Sequence, residues 1–188
     1  MEDFAKAIEL KPDDAVAYYD RGNTYFEMGI FIKATEDYDK AIELKKDFAD
    51  AYNNRGVTFR NLKKYDKAVE DFTKAIELTP DDAEAFNNRG LTYQYLENYE
   101  KAIVDFTKAI KLKKDFADAF INRGTTYRVL NRFDEAIENF TKGPNVWNIG
   151  GGFRYLVARM LGLQMGIDVA RGPQDWAFYI VFGSAWLK

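Results

Sequence analysis

A chain of 188 residues with a formal net charge of −3 has room for one or two domains, and too little net charge to bind a polyanion by bulk attraction. It has no Cys and no His, which excludes disulfides and the usual zinc, haem and redox-thiol sites; no cofactor and no metal are expected. The sequence opens on Met1-Glu-Asp-Phe4, which has neither a basic region nor an apolar run, so no signal peptide is read there.

Residues 1–10 carry a helical pattern, Phe4 and Ala7 on one face, and four helix pairs are expected after it. These are 15–28 with 31–44, 49–62 with 65–78, 83–96 with 99–112, and 117–130 with 133–142. The pairs follow from a repeat. Arg21-Gly22, Arg55-Gly56, Arg89-Gly90 and Arg123-Gly124 recur every 34 residues, and Lys6, Lys40, Lys74 and Lys108, each followed by Ala-Ile, keep the same period. The corners alternate: Lys11-Pro-Asp-Asp14, Lys45-Lys-Asp-Phe48, Thr79-Pro-Asp-Asp82, Lys113-Lys-Asp-Phe116.

This frame resembles the tetratricopeptide repeat. The large residue early in the first helix is Tyr18, Tyr52, Phe86 and Phe120. The small residue at the helix crossing is Gly22, Gly56, Gly90 and Gly124. The second helix supplies Ala34, Ala68, Ala102 and Ala136, then the aromatics Tyr38, Phe72, Phe106 and Phe140. One departure is Arg before the Gly, where the family usually has Leu; another is Lys46 and Lys114 in place of the corner Pro, which is present only at Pro12 and Pro80. The resemblance implies a mainly α fold, an α-solenoid over residues 1–142: a half repeat at 1–14, then repeats 15–48, 49–82, 83–116 and 117–142. Because the sequence begins inside a repeat, it reads as a fragment of a longer chain.

At Gly143-Pro144 the repeat breaks off, and residues 143–188 form a second region with all three Trp and a net charge of +2, leaving −5 on the repeats. Up to three antiparallel strands are expected there: Phe153–Ala158, Leu163–Arg171 and Trp176–Trp186, the last two alternating large apolar with small or polar residues. Gly150-Gly-Gly-Phe-Arg-Tyr-Leu156, Gly166-Ile-Asp-Val-Ala-Arg-Gly172 and Ala177–Trp186 resemble the C-terminal strands of bacterial surface-antigen outer-membrane barrels. Three strands cannot close a barrel, so the tail reads as a barrel remnant joined to a repeat domain. The apolar face of the tail and the incomplete last repeat imply association, as a homo-oligomer or larger assembly through the tail, or with the outer membrane.

The family resemblance makes the surface of stacked first helices a peptide groove, with a protein or peptide as partner. Facing positions are Asn23, Asn53, Asn54, Arg60, Asn87, Asn88, Gln94, Asn122 and Arg128, with the acids Asp20, Asp50, Glu84 and Asp118 beside them. Asn54, Asn88 and Asn122 form a ladder; an amide both donates and accepts, so it can pair a peptide backbone of any sequence. The C-terminal carboxylate clamp of some family members is absent, since its positions hold Tyr19, Glu84 and Asn88 and match only at Asn23 and Asn54. The groove acids favour neutral or basic segments.

Other motifs carry no chemistry. The four Arg before Gly are expected to be structural, reaching acids of the adjacent repeat with buried stems. Glu36-Asp37 and Glu70-Asp71 read as a solvated outer face rather than acid/base dyads. Gly150-Gly-Gly152 lacks the Lys-Ser/Thr of a phosphate loop. Lys45-Lys46 and Lys113-Lys114 lack the interleaved aromatics of a nucleic-acid track, so no nucleic acid is expected. The function expected is a non-enzymatic scaffold that holds an extended peptide. The alternative is an outer-membrane-associated protein whose tail is a barrel terminal strand or assembly signal, with the repeats as a periplasmic appendage.

Overall fold

The computed structural model of the chain describes residues 2–142, 166–171 and 176–181. Among them are nine helices: α1 (Glu2–Leu10), α2 (Ala15–Glu27), α3 (Phe31–Leu44), α4 (Ala49–Asn61), α5 (Tyr65–Leu78), α6 (Ala83–Tyr95), α7 (Tyr99–Leu112), α8 (Ala117–Val129) and α9 (Phe133–Lys142). Each first helix packs on the second helix of its own repeat and of the repeat before, which gives a solenoid.

What brings the two helices of a repeat together is the small residue on one and the ring on the other. A Cβ at Gly22, Gly56, Gly90 or Gly124 would lie 2.8, 2.9, 2.7 or 2.9 Å from Tyr38, Phe72, Phe106 or Phe140, well inside carbon–carbon contact. The rings of Tyr38, Phe72 and Phe106 are fully buried there, each contributing about 1.5–3 kcal/mol. Phe140 is buried in the same way under Gly124, so it needs no further repeat to cover it. The hydroxyls of buried Thr58, Thr92 and Thr126 are satisfied by the carbonyls of Asn54, Asn88 and Asn122 one turn back, at 2.7, 2.9 and 2.7 Å.

The first helices end one residue before the expected boundary, with Met28, Leu62, Leu96 and Leu130 as C-caps. The following residue turns into the left-handed region: Gly29, Lys63, Glu97 and Asn131, at φ +73, +58, +56 and +58°. The repeat-two turn is typical. Lys63 N–H bonds Arg60 O at 2.9 Å and Lys64 N–H bonds Phe59 O at 2.8 Å, which satisfies two carbonyls the helix would otherwise leave open.

The two corner types solve helix initiation differently. Asp14 and Asp82 cap their helices, with Asp82 accepting from the N–H groups of Glu84 and Ala85 at 2.8 and 3.2 Å. In the other corners Phe48 and Phe116 stand at the cap position and make no side-chain cap. Phe48 instead joins the buried cluster of Ala41, Ile42 and Ala51, exchanging a hydrogen bond for apolar area.

Residues 166–171 and 176–181 form strands β1 (Gly166–Arg171) and β2 (Trp176–Val181), paired antiparallel with Gly166 opposite Val181 and Arg171 opposite Trp176. A two-stranded ladder closes no barrel, and nothing in it supports the barrel likeness of the tail. The expected strand at 153–158 and Trp186 lie outside the described residues.

Candidate functional site

Helices α2, α4, α6 and α8 lie side by side, and the expected groove residues share their surface. Hydrogen bonds link Asn23, Asn53, Asn54, Arg60 and Asn88 in one set, and Asn87, Gln94 and Asn122 in another. Asn54 on α4 donates to Asn23 Oδ1 at 2.9 Å and to the Tyr19 hydroxyl at 3.0 Å, both on α2. Asn88 on α6 donates to Asn53 Oδ1 at 3.2 Å, and Asn122 on α8 donates to Asn87 Oδ1 at 3.0 Å. Each rung therefore runs from one repeat to the repeat before it. Asn53 also donates to Asn54 Oδ1 at 3.4 Å, and the Tyr38 hydroxyl donates to Asn23 Oδ1 at 2.8 Å.

Two longer side chains span the same seam. Arg60 Nη1 donates to the backbone oxygen and to Oδ1 of Asn88 at 3.2 and 3.4 Å, and burial pushes its guanidinium below the usual range. Gln94 donates to Asn122 O at 3.2 Å and to Thr126 Oγ1 at 2.6 Å. Arg128, 34 residues beyond Gln94, is half-buried on α8.

These bonds decide what the ladder can offer a ligand. Both amide hydrogens of Asn54 are committed within the protein, whereas among the described residues Asn88 and Asn122 each commit one, which leaves each a second N–H there. Around them Asp20, Asp50, Glu84 and Asp118 are all exposed, and none is in an ion pair among the described residues.

Beside the first rung is a cavity of about 340 Å³ lined by Asn23, Phe26, Glu27, Tyr38, Asn54 and Val57. Phe26, Glu27 and Val57 were not among the expected site residues. Phe26 occupies the repeat position of Arg60, Gln94 and Arg128, so reading that position through every repeat would have found it. Glu27 follows it in the same frame, and Val57 follows from Asn23 one repeat back.

The Arg residues before Gly are structural, but their partners differ from the expectation. Each bonds mainly within its own repeat, 16 residues on. Arg21 forks onto Asp37 at 2.7 and 2.6 Å, Arg55 onto Asp71 at 2.8 and 2.6 Å, and Arg89 onto Asp105 at 2.8 and 2.8 Å. The adjacent repeat adds a second contact: Asp39 to Arg55 at 2.5 Å and the Thr73 hydroxyl to Arg89 at 3.1 Å. The hydrogen bonds that Arg89 donates to Asp105 hold its guanidinium above its usual range. In the fourth repeat Asn139 replaces the Asp, bonding Arg123 at 2.6 Å, and burial pushes that guanidinium down.

These forks also correct the reading of the acidic pairs. Glu36 and Glu70 are exposed as expected, but Asp37 and Asp71 are buried. Their side chains turn inward because a guanidinium faces them from the crossing helix. Among the described residues no buried side-chain polar atom lacks a partner, no cluster of three or more acids has metal-binding geometry, and no helix is long and apolar enough to cross a membrane.

Residues 15–48, 49–82 and 83–116 match the tetratricopeptide repeat family model, and 117–143 match a second model of the same description. Among solved structures, a crystal structure of MamA is 27% identical, with a TM-score of 0.70, over 74% of this chain and 81% of that one. The Arabidopsis OM64 tetratricopeptide domain is 26% identical, with a TM-score of 0.60, over 61% and 95%. The first tetratricopeptide domain of Spaghetti (RPAP3), bound to the HSP90 peptide SRMEEVD, is 24% identical, with a TM-score of 0.61, over 62% and 93%; at that identity the likeness speaks for the fold alone. No curated protein sequence matches.

Proposed function

The chain belongs to the tetratricopeptide repeat family, whose members are protein–protein interaction scaffolds, and we propose that its first-helix surface binds an extended, neutral-to-basic peptide segment. Such scaffolds are typically non-enzymatic. The observation that carries the reading is the row of exposed acids, Asp20, Asp50, Glu84 and Asp118, running along the same helices as Asn88 and Asn122, each with an uncommitted N–H. The amides would pair with the peptide backbone and the acids would select its charge. A peptide with an acidic end, such as the one held by the Spaghetti domain, would meet Asp50, Glu84 and Asp118 without a Lys or Arg clamp to offset them.

The cavity beside Asn23 would take one side chain of that segment, with Phe26 and Val57 around its apolar part and Glu27 facing a cationic end. No finding favours the outer-membrane alternative or association through the tail.

The test is fluorescence anisotropy with labelled eight-residue peptides, one Lys-rich and one Glu-rich, at two salt concentrations. The Lys-rich peptide should bind and weaken with salt. Glu84→Lys should weaken it further, and Asn88→Ala should cost about 0.5–1.5 kcal/mol, the net worth of one hydrogen bond. Equal binding of both peptides, or titrations of Asn88→Ala and wild type that superimpose, would sink the reading.

A further inference from the structure

Arg21, Arg55 and Arg89 each turn the same edge of the guanidinium, Nε and Nη2, onto a carboxylate, at 2.6–2.8 Å. Arg60 bonds through its third nitrogen, Nη1, which donates to Asn88 O and Oδ1 at 3.2 and 3.4 Å. Among the described residues its Nε and Nη2 make no hydrogen bond, and no acid forms an ion pair with it. Both nitrogens reach solvent, since among those residues no buried side-chain polar atom lacks a partner.

The guanidinium is nonetheless fixed in place. Its Cζ lies 5.9 Å from the centroid of the fully buried Phe72 ring, and Nη1 ties it across the seam to α6. Burial pushes it below its usual range, with no carboxylate beside it to offset the lost hydration. An anion brought to such a half-buried cation is held more strongly than at a fully exposed one, because water screens the pair less.

Arg60 also has a definite place along the row of first helices. It is one repeat on from Phe26, which lines the cavity, and one repeat before Gln94. Helix α2 lies on one side of it, and α6 and then α8 on the other. A segment laid across these helices passes over Arg60 in mid-course, so a side chain meets it and not a chain end. Neighbouring helices pack about 8–10 Å apart, and an extended chain advances about 3.3 Å per residue. That side chain is therefore about three residues from the one in the cavity.

We propose that Arg60 is a specificity-determining residue that takes the carboxylate of one internal Asp or Glu of the bound segment. Its Nε and Nη2 would donate the two bonds, with the geometry that Arg89 uses on Asp105. The proposal rests on the first-helix surface binding an extended, neutral-to-basic peptide, and it reverses the sign at one position of that peptide. By charge alone, Asp50, Glu84 and Asp118 make every acid in the ligand unfavourable. The free edge of Arg60 makes one of them favourable.

The test is fluorescence anisotropy with C-terminally amidated, Lys-rich eight-residue peptides that carry Glu or Gln at one position, moved along the peptide in turn. At one position Glu should bind roughly tenfold more tightly than Gln, the scale of a hydrogen-bonded charged pair; elsewhere it should bind more weakly. Arg60→Gln in the 188-residue chain should abolish the preference without weakening the Gln peptide. It should fold normally, because Gln94 stands at the same repeat position and bonds Asn122 O from there. Arg60→Lys should keep only part of the preference, since an ammonium is a point charge without the fork. In the ¹⁵N-labelled chain the Arg60 Nε–H resonance should move downfield with the Glu peptide and not with the Gln peptide. Glu weaker than Gln at every position, or a preference that survives Arg60→Gln, would overturn the proposal and leave the binding of basic peptides standing. Failure of the Lys-rich peptides to bind in any form would overturn both. A Gln peptide with a free C-terminal carboxylate that gains the same tenfold through Arg60 would move the contact to a chain end and overturn the internal position.

Discussion

Replacing Gly90 by Leu tests the helix-pair geometry most directly. The first carbon of the new side chain would sit 2.7 Å from Phe106 Cε1, 3.0 Å from Cδ1 and 3.1 Å from Cζ. Carbon atoms rest about 3.5–4.0 Å apart, so α6 and α7 must separate by roughly 1 Å before the remaining three carbons are placed. Phe106 cannot yield, because it is fully buried. Overpacking alone costs about 1–3 kcal/mol, and the displaced ring then loses part of the 1.5–3 kcal/mol its burial supplies. Leu regains roughly 0.8 kcal/mol of helix propensity over Gly. The net is a loss of about 2–4 kcal/mol, a fall in melting temperature of roughly 4–16 °C for a chain of this size. Thermal unfolding followed by circular dichroism measures it. Gly90→Ala should show a smaller loss, because the propensity gain offsets most of a single carbon. A Leu variant that melts with the wild type would refute the crossing geometry on which the whole repeat phase depends.

Two further substitutions probe the turns and the forks. Glu97→Gly should raise the melting temperature by roughly 1–4 °C, since it relieves an unfavourable left-handed residue worth about 1–2 kcal/mol and adds about 0.5–1 kcal/mol of chain entropy; a fall would show that the Glu97 side chain stabilises the turn. Asp105→Leu should destabilise by about 3 kcal/mol, because it strands a largely buried Arg89. Adding Arg89→Met to it should restore most of that in chemical denaturation, and a double variant no better than the single would show that the fork is itself stabilising.

The helix pairs were legible in the sequence because the same residues return at a fixed interval, so an assignment at Gly22 is tested again at Gly56, Gly90 and Gly124. The residues expected to face a groove were legible as positions on one surface and not as a set of bonds. That Asn54 spends both hydrogens on Asn23 and Tyr19, while Asn88 spends one on Asn53, depends on the offset between neighbouring helices, which spacing alone does not contain. The burial of Asp37 and Asp71 escaped for a related reason. In sequence each follows an exposed Glu, and its guanidinium partner lies 16 residues back, on the helix that crosses it. The cavity was missed because Phe26 breaks a position otherwise filled by Arg60, Gln94 and Arg128, and a polar pattern draws the eye past its apolar exception.

The forks leave the charge of the first-helix surface to its exposed acids. Residues 1–142 carry a net charge of −5, a modest value with cations and anions both numerous. Three of those cations, Arg21, Arg55 and Arg89, are each neutralised by an Asp inside the fold. A fourth, Arg60, lies largely buried against Asn88. Lys40 and Lys74 are held by Glu43 and Glu77 on the second helices, away from the groove surface. Among the described residues the acids at Asp20, Asp50, Glu84 and Asp118 have no such ion-pair partner, and they are exposed. Each such pair cancels one cation against one anion and leaves the net charge of −5 unchanged, so a ligand approaching α2, α4, α6 and α8 meets these four exposed acids as part of a negative field. That field extends about 8 Å at physiological salt, far enough to act on a peptide before any amide is within bonding distance. Charge would then govern encounter, and the uncommitted N–H groups of Asn88 and Asn122 would govern register once the peptide is down.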